Sequence, residues 1–109
     1  MTVNELCEKM GLTAVTVPQG DREIHGAYCC DLLSWVMGRA KADDVWITIM
    51  SNSNIVAVAS LADVATVLLA EGVTLDENVK TIAEAKGINV LSSDKPIYEL
   101  AFELNSFLK

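Results

Sequence analysis

The sequence predicts an α/β fold: a single domain with a mostly parallel sheet of about five strands and helices on both faces. Three observations carry this reading. Short β-branched or apolar runs alternate with segments of helical periodicity through the second half of the chain. One of those runs, ATVLLA at 65–70, has no polar face, as a strand covered on both sides requires. Parallel neighbours also need crossover connections, and the intervening helical segments supply them.

The elements follow in order. TVNELCEKMG opens with Thr2 three residues before Glu5, a capping box, and closes at Gly11, which predicts a helix over 3–10. LTAVTV at 12–17 is β-branched and is stopped by Pro18 and Gly20, and EIHGAYCC at 23–30 supplies a second strand. Asp31 stands where an N-cap would, so DLLSWVM is predicted as a short helix ending at Gly38. VWITIM at 45–50 is the clearest strand, SNSN at 51–54 a polar break, and Ile55 to Leu61 a buried crossover helix rather than a strand. After the strand at 65–70, residues 76–86 carry acids at their start and Lys86 at their end, which suits a helix dipole. INVLS at 88–92 is the last strand. Pro96 then opens a helix to the end of the chain, with Ile97, Leu100, Ala101, Leu104 and Leu108 on one stripe.

Composition excludes several functions. At 109 residues the chain suits one domain, 1–109, which buries roughly two thirds of its unfolded surface without staples. The formal net charge of −7, with eight scattered basic residues, argues against nucleic acid, whose binders cluster Lys and Arg to displace counterions. No apolar run approaches the roughly 20 residues that would span a membrane, and no signal-like segment opens the chain, so a cytoplasmic location is expected. An odd count of three cysteines fits a reducing compartment better than a disulfide framework.

Most of the reactive chemistry lies in VTVPQGDREIHGAYCCDLLSWVMG, residues 15–38. In a strand, His25 and Cys29 share a face but lie roughly 13 Å apart, too far to hold one metal ion, and Cys30 points to the other face. Adjacent strand cysteines are sterically unsuited to a disulfide, and cysteine is commonly buried as a small apolar group. The expectation is therefore no metal and no cofactor. A redox or nucleophilic role for Cys29, Cys30 and His25 remains as the alternative.

Within that stretch, Gly20, Asp21, Arg22, Ile24 and Gly26 follow a β-branched strand and precede DLLSWVM, WITI and NIVAVA. This combination resembles the DRTGG domain family and the related amino-terminal domain of HPr kinase/phosphorylase. The literal Asp-Arg-Thr-Gly-Gly string is absent, since Glu23, Ile24 and His25 follow Arg22. The resemblance implies an α/β regulatory domain without catalytic activity that acts through a partner enzyme. No GxxxxGK[ST] phosphate loop occurs, so kinase chemistry has no support.

Asp21 and Arg22 read either as a turn acid and a charge clamp on neighbouring backbone, or as ligand contacts. A ligand site is expected at the carboxyl ends of the strands. There Ser51, Asn52, Ser53 and Asn54, and Ser92, Ser93 and Asp94, could line one crevice for a small anionic metabolite or nucleotide. Leu32, Trp35 and Val36 are expected on one side of their short helix and Leu33 and Met37 on another. This predicts a homodimer through Leu33, Trp35 and Met37, with Tyr98, Phe102 and Phe107 adding apolar surface. Two function classes result: a self-associating regulatory domain with a small ligand, or a small redox protein or enzyme.

Overall fold

The computed structural model describes residues 1–108. Helix α1 (Val3–Met10) leads to β1 (Thr13–Thr16) and β2 (Gly26–Cys29). The chain then alternates through α2 (Leu33–Arg39), β3 (Asp44–Thr48), α3 (Asn54–Ala62), β4 (Thr66–Leu69), α4 (Glu77–Ala85), β5 (Val90–Ser92) and α5 (Ile97–Phe107). The five strands form one sheet in the order β1-β5-β4-β3-β2. Strands β2 to β5 are mutually parallel, and β1 runs antiparallel along the edge of β5. The α/β sheet covered on both faces is as the sequence predicts.

Side-chain alternation divides the interior into two layers. Trp46, Val67, Leu69 and Val90 point to the face covered by α2, α3 and α4, through Val36, Ile55, Ala59, Val79 and Ala83. Val45, Ile47, Leu68 and Leu91 point to the face covered by α1 and α5, through Val3, Leu6, Leu100 and Leu104. β3 and β4 are buried along their whole length, which is why residues 45–47 and 67–69 run as unbroken apolar stretches. The divided helices have a topological consequence. The chain leaves β4 toward one face and β5 toward the other, so the loops after these two adjacent parallel strands diverge.

Several local expectations need correction. Asp31 does not cap α2, whose N-cap is Leu32 with no side-chain bond. Its Oδ1 accepts instead from the Thr48 hydroxyl at 2.7 Å and from the Ile49 N–H at 3.0 Å, tying the end of β2 to the end of β3. β2 is shorter than predicted because residues 23–25 are taken elsewhere: Glu23 bridges to Thr2, and the His25 N–H donates to the Asp43 carbonyl. Val36 of α2 is buried while Trp35, Met37 and the N-cap Leu32 are exposed, so of Leu32, Trp35 and Val36 only Val36 enters the core. Leu33 is half-buried against the core. Phe107 is also partly buried, against the α1/α5 layer, leaving Tyr98 and Phe102 exposed on α5.

Candidate functional site

The amino ends of the parallel strands are closed by polar side chains bonded to one another. Arg22 donates from Nε to Asp43 Oδ1 at 3.1 Å, and from Nη2 to the Asp63 carboxylate at 2.8 Å and to the Asp63 carbonyl. Asp43 and Asp63 have φ of 69° and 59°, a left-handed conformation that aspartate tolerates better than most residues. Arg22 thus pins two turns of unfavourable backbone, one before β3 and one after α3. Asn89, almost wholly buried beside β5, donates from Nδ2 to the carbonyls of Gln19 and Ala65 and accepts from the Gln19 N–H. Asp44 accepts from the Lys41 N–H at 2.8 Å. Arg22 is therefore engaged within the protein, by Asp43 and Asp63. Asp21 is exposed beside it in the turn.

His25 lies at this same end, its Nδ1 3.5 Å from Asp43 Oδ2. Cys29 and Cys30 are free thiols on and just after the edge strand β2. Partial burial, helped by the Asp31 carboxylate, raises the Cys29 thiol above its ordinary range, the opposite of what a nucleophile needs. Cys7 is likewise raised by burial, and its Sγ donates to the Leu12 carbonyl. Among the described residues, no three His, Cys, Asp or Glu side chains gather as a metal ion would require.

At the carboxyl ends the two predicted loops part company. In 51–54, Asn52 Oδ1 accepts from the Asn54 N–H at 2.9 Å, an internal turn that leads into α3 at the N-cap Ser53. Ser92, Ser93 and Asp94 line a cavity of about 300 Å³ with Gly72, Val73 and Thr74 from the loop after β4, and with Gly11 and Thr13 before and on β1. None of residues 51–54 lines it. This crevice lies where the exits from β4 and β5 diverge, the position at which open α/β sheets leave a groove for ligands.

Its walls are fixed by main chain. Gly72 N–H donates to the Ser93 carbonyl at 3.0 Å, Glu71 N–H to the Lys95 carbonyl at 2.9 Å, and Ser93 N–H to the Leu69 carbonyl at 2.9 Å. Gly72 has φ +74°, and a Cβ there would meet Asp94 Oδ1 at 3.3 Å, so glycine is what lets the turn lie against the carboxylate. The Ser93 hydroxyl accepts from the Lys95 N–H. Among the described residues, no hydrogen bond engages the side chains of Thr13, Thr74, Ser92 or Asp94, all of which line the cavity. Lys95 closes the rim, its Nζ 2.6 Å from Glu103 Oε1. That hydrogen bond raises the Lys95 amine, which holds its charge. Gly72, Thr74 and Thr13 were not singled out from sequence. The available signal was the Glu-Gly pair closing the apolar strand at 65–70.

A DRTGG domain family model matches residues 21–107. No curated protein matches the chain. Among solved structures, it is similar to the CBS and DRTGG domains of the regulatory region of a Clostridium perfringens pyrophosphatase, described as complexed with its activator, diadenosine tetraphosphate. The TM-score is 0.71 at 13% identity, with 94% of this chain and 45% of that one covered. The likeness is one of fold, and this chain spans less than half of the other's length. The family match extends from the Arg22 clamp through all four parallel strands to α5, and the chain therefore belongs to the DRTGG domain family.

Proposed function

We propose that this protein is a non-catalytic regulatory domain, related to the amino-terminal domain of HPr kinase/phosphorylase, that binds a small polar metabolite or nucleotide and acts on a partner enzyme in the cytoplasm. The observation that carries the reading is the crevice between the β4 and β5 exits, lined by Thr13, Thr74, Ser92 and Asp94, whose side chains make no hydrogen bond among the described residues. A carboxylate among hydroxyls accepts from a ligand's own hydroxyl groups, and Lys95 at the rim offers one cation to an anionic group. Among the described residues the crevice sets no base beside a nucleophile, and burial raises the Cys29 thiol, which keeps it protonated. The fold's resemblance to a domain of an enzyme's regulatory region supports a regulatory role.

Self-association belongs to the same reading. Trp35 and Met37 are exposed on the two flanks of α2, with Leu32 exposed at its start and the Arg39 guanidinium 3.7 Å over the Trp35 ring. Leu33, half-buried beneath them, supports this surface rather than forming it. An aromatic with a cation-π partner suits an interface centre.

The test is an amide-shift titration with ribose 5-phosphate at millimolar concentration. Shifts at 11–13, 72–74 and 92–95 are expected, with weak affinity, in the micromolar to millimolar range on the order set by one cation and a few hydroxyls. Silence at those residues sinks the binding site. Light scattering at micromolar concentration tests the dimer, and a monomer mass unchanged on concentrating the protein tenfold sinks self-association.

A further inference from the structure

Resting on the ligand reading above, we infer that the crevice continues into a second subsite beside α5, and that the two together take a nucleotide. The sugar and phosphate lie at Ser92 to Lys95 and the planar base lies against Phe102. A second cavity, about 550 Å³, is lined by Met10, Phe102, Phe107, Glu103 and Lys95 among others. Lys95 lines both cavities, and the adjacent residues Met10 and Gly11 line one each. The two spaces therefore abut along Lys95 and the end of α1.

Their chemistry is complementary. The first offers hydroxyls and a carboxylate, and the second offers Met10, Phe102 and Phe107. Phe102 is 72% exposed, and its ring lies nearly parallel to that of exposed Tyr98, with centroids 6.4 Å apart. An exposed aromatic wall beside a polar crevice is a stacking platform for a base. At the junction stands the Lys95–Glu103 ion pair, whose side chains are 45% and 36% exposed. Exposed pairs contribute little to stability, so a phosphate entering here takes Lys95 from Glu103 at small cost. The phosphate meets two carboxylates as well, Asp94 and Glu103, which keeps affinity modest and makes Glu103 a brake on binding.

The experiment compares adenosine 5′-monophosphate, adenosine and ribose 5-phosphate by amide-shift titration against the full chain and three variants at exposed or half-exposed positions. The monophosphate is expected to shift both 92–95 and 102–107 and to bind roughly tenfold more tightly than ribose 5-phosphate. Phe102→Ala should erase that gain, leaving ribose 5-phosphate unchanged. Lys95→Met should weaken both phosphates but not adenosine. Glu103→Gln should tighten both phosphates by about threefold to tenfold, again without effect on adenosine. If ribose 5-phosphate shifts 92–95 but the monophosphate binds no better and leaves 102–107 still, the second subsite is wrong while the crevice stands. If no probe shifts 92–95, both readings fall. If the 98–107 amides broaden with protein concentration before any ligand is added, a second copy covers this face and the base subsite is overturned.

Discussion

The two ends of the sheet are built on opposite principles. At the amino ends, Asn89, Arg22, Asp43, Asp44 and Asp63 are bonded to one another or to nearby main chain. At the carboxyl ends of β4 and β5 the main chain is equally well tied, but the side chains of Thr13, Thr74, Ser92 and Asp94 are left to the cavity. The arginine of the family-like motif stands at the first end and the crevice at the second. The motif arginine is bonded within the fold, at the end of the sheet opposite the crevice.

That contrast is open to attack from either end. The largest effect is expected from Asn89→Ala, which strands the Gln19 N–H and two carbonyls in a buried setting and should cost about 3 kcal/mol in urea unfolding. Arg22→Ala should cost about 2 kcal/mol, because a half-buried guanidinium fork leaves and two left-handed aspartates lose their anchor. Arg22→Lys should recover only part of that loss, since an ammonium keeps the charge but not the fork. At the other end, the double change Thr13→Val and Ser92→Ala should move stability by roughly 0.5 kcal/mol or less, since neither hydroxyl is bonded among the described residues. It should nonetheless weaken ribose 5-phosphate binding severalfold. Equal destabilisation at both ends would erase the distinction.

The smallest effect concerns the alternative chemistry. With its thiol raised by burial and by Asp31, Cys29 should alkylate at pH 7 more slowly than free cysteine, with the rate inflecting above the ordinary thiol range. Faster alkylation than free cysteine would restore the nucleophile reading.

Much of the fold was legible because periodicity and caps are local. The capping box of α1 is present as read, Thr2 and Glu5 each bonding the other's N–H, and the choice of helix for residues 55–61 holds in α3. What the sequence hid is what depends on distant partners. Asp31 looks like a cap until Thr48 lies beside it, and Trp35 looks as fit for the core as Val36 until the placement of α2 turns it outward. The crevice draws on β1, the loop after β4 and the end of β5, segments up to about eighty residues apart, so its local signals, the Glu71-Gly72 pair and Ser92 to Asp94, do not reveal that they meet. Residues 51–54 carried the same signal, but the neighbouring exits from β3 and β4 both lead to the α2–α4 face, and these residues do not line the crevice.

The central claim is that ligand binding belongs to the carboxyl ends of β4 and β5 and structural support to the amino ends. Its most direct test is a residue-resolved map of amide shifts on adding adenosine 5′-monophosphate to the unmodified protein. The account predicts shifts at 11–13, 72–74 and 92–95 while residues 20–25, 43, 63 and 89 stay still. Shifts concentrated around Arg22, Asp43 and Asp63, with the crevice silent, would contradict it.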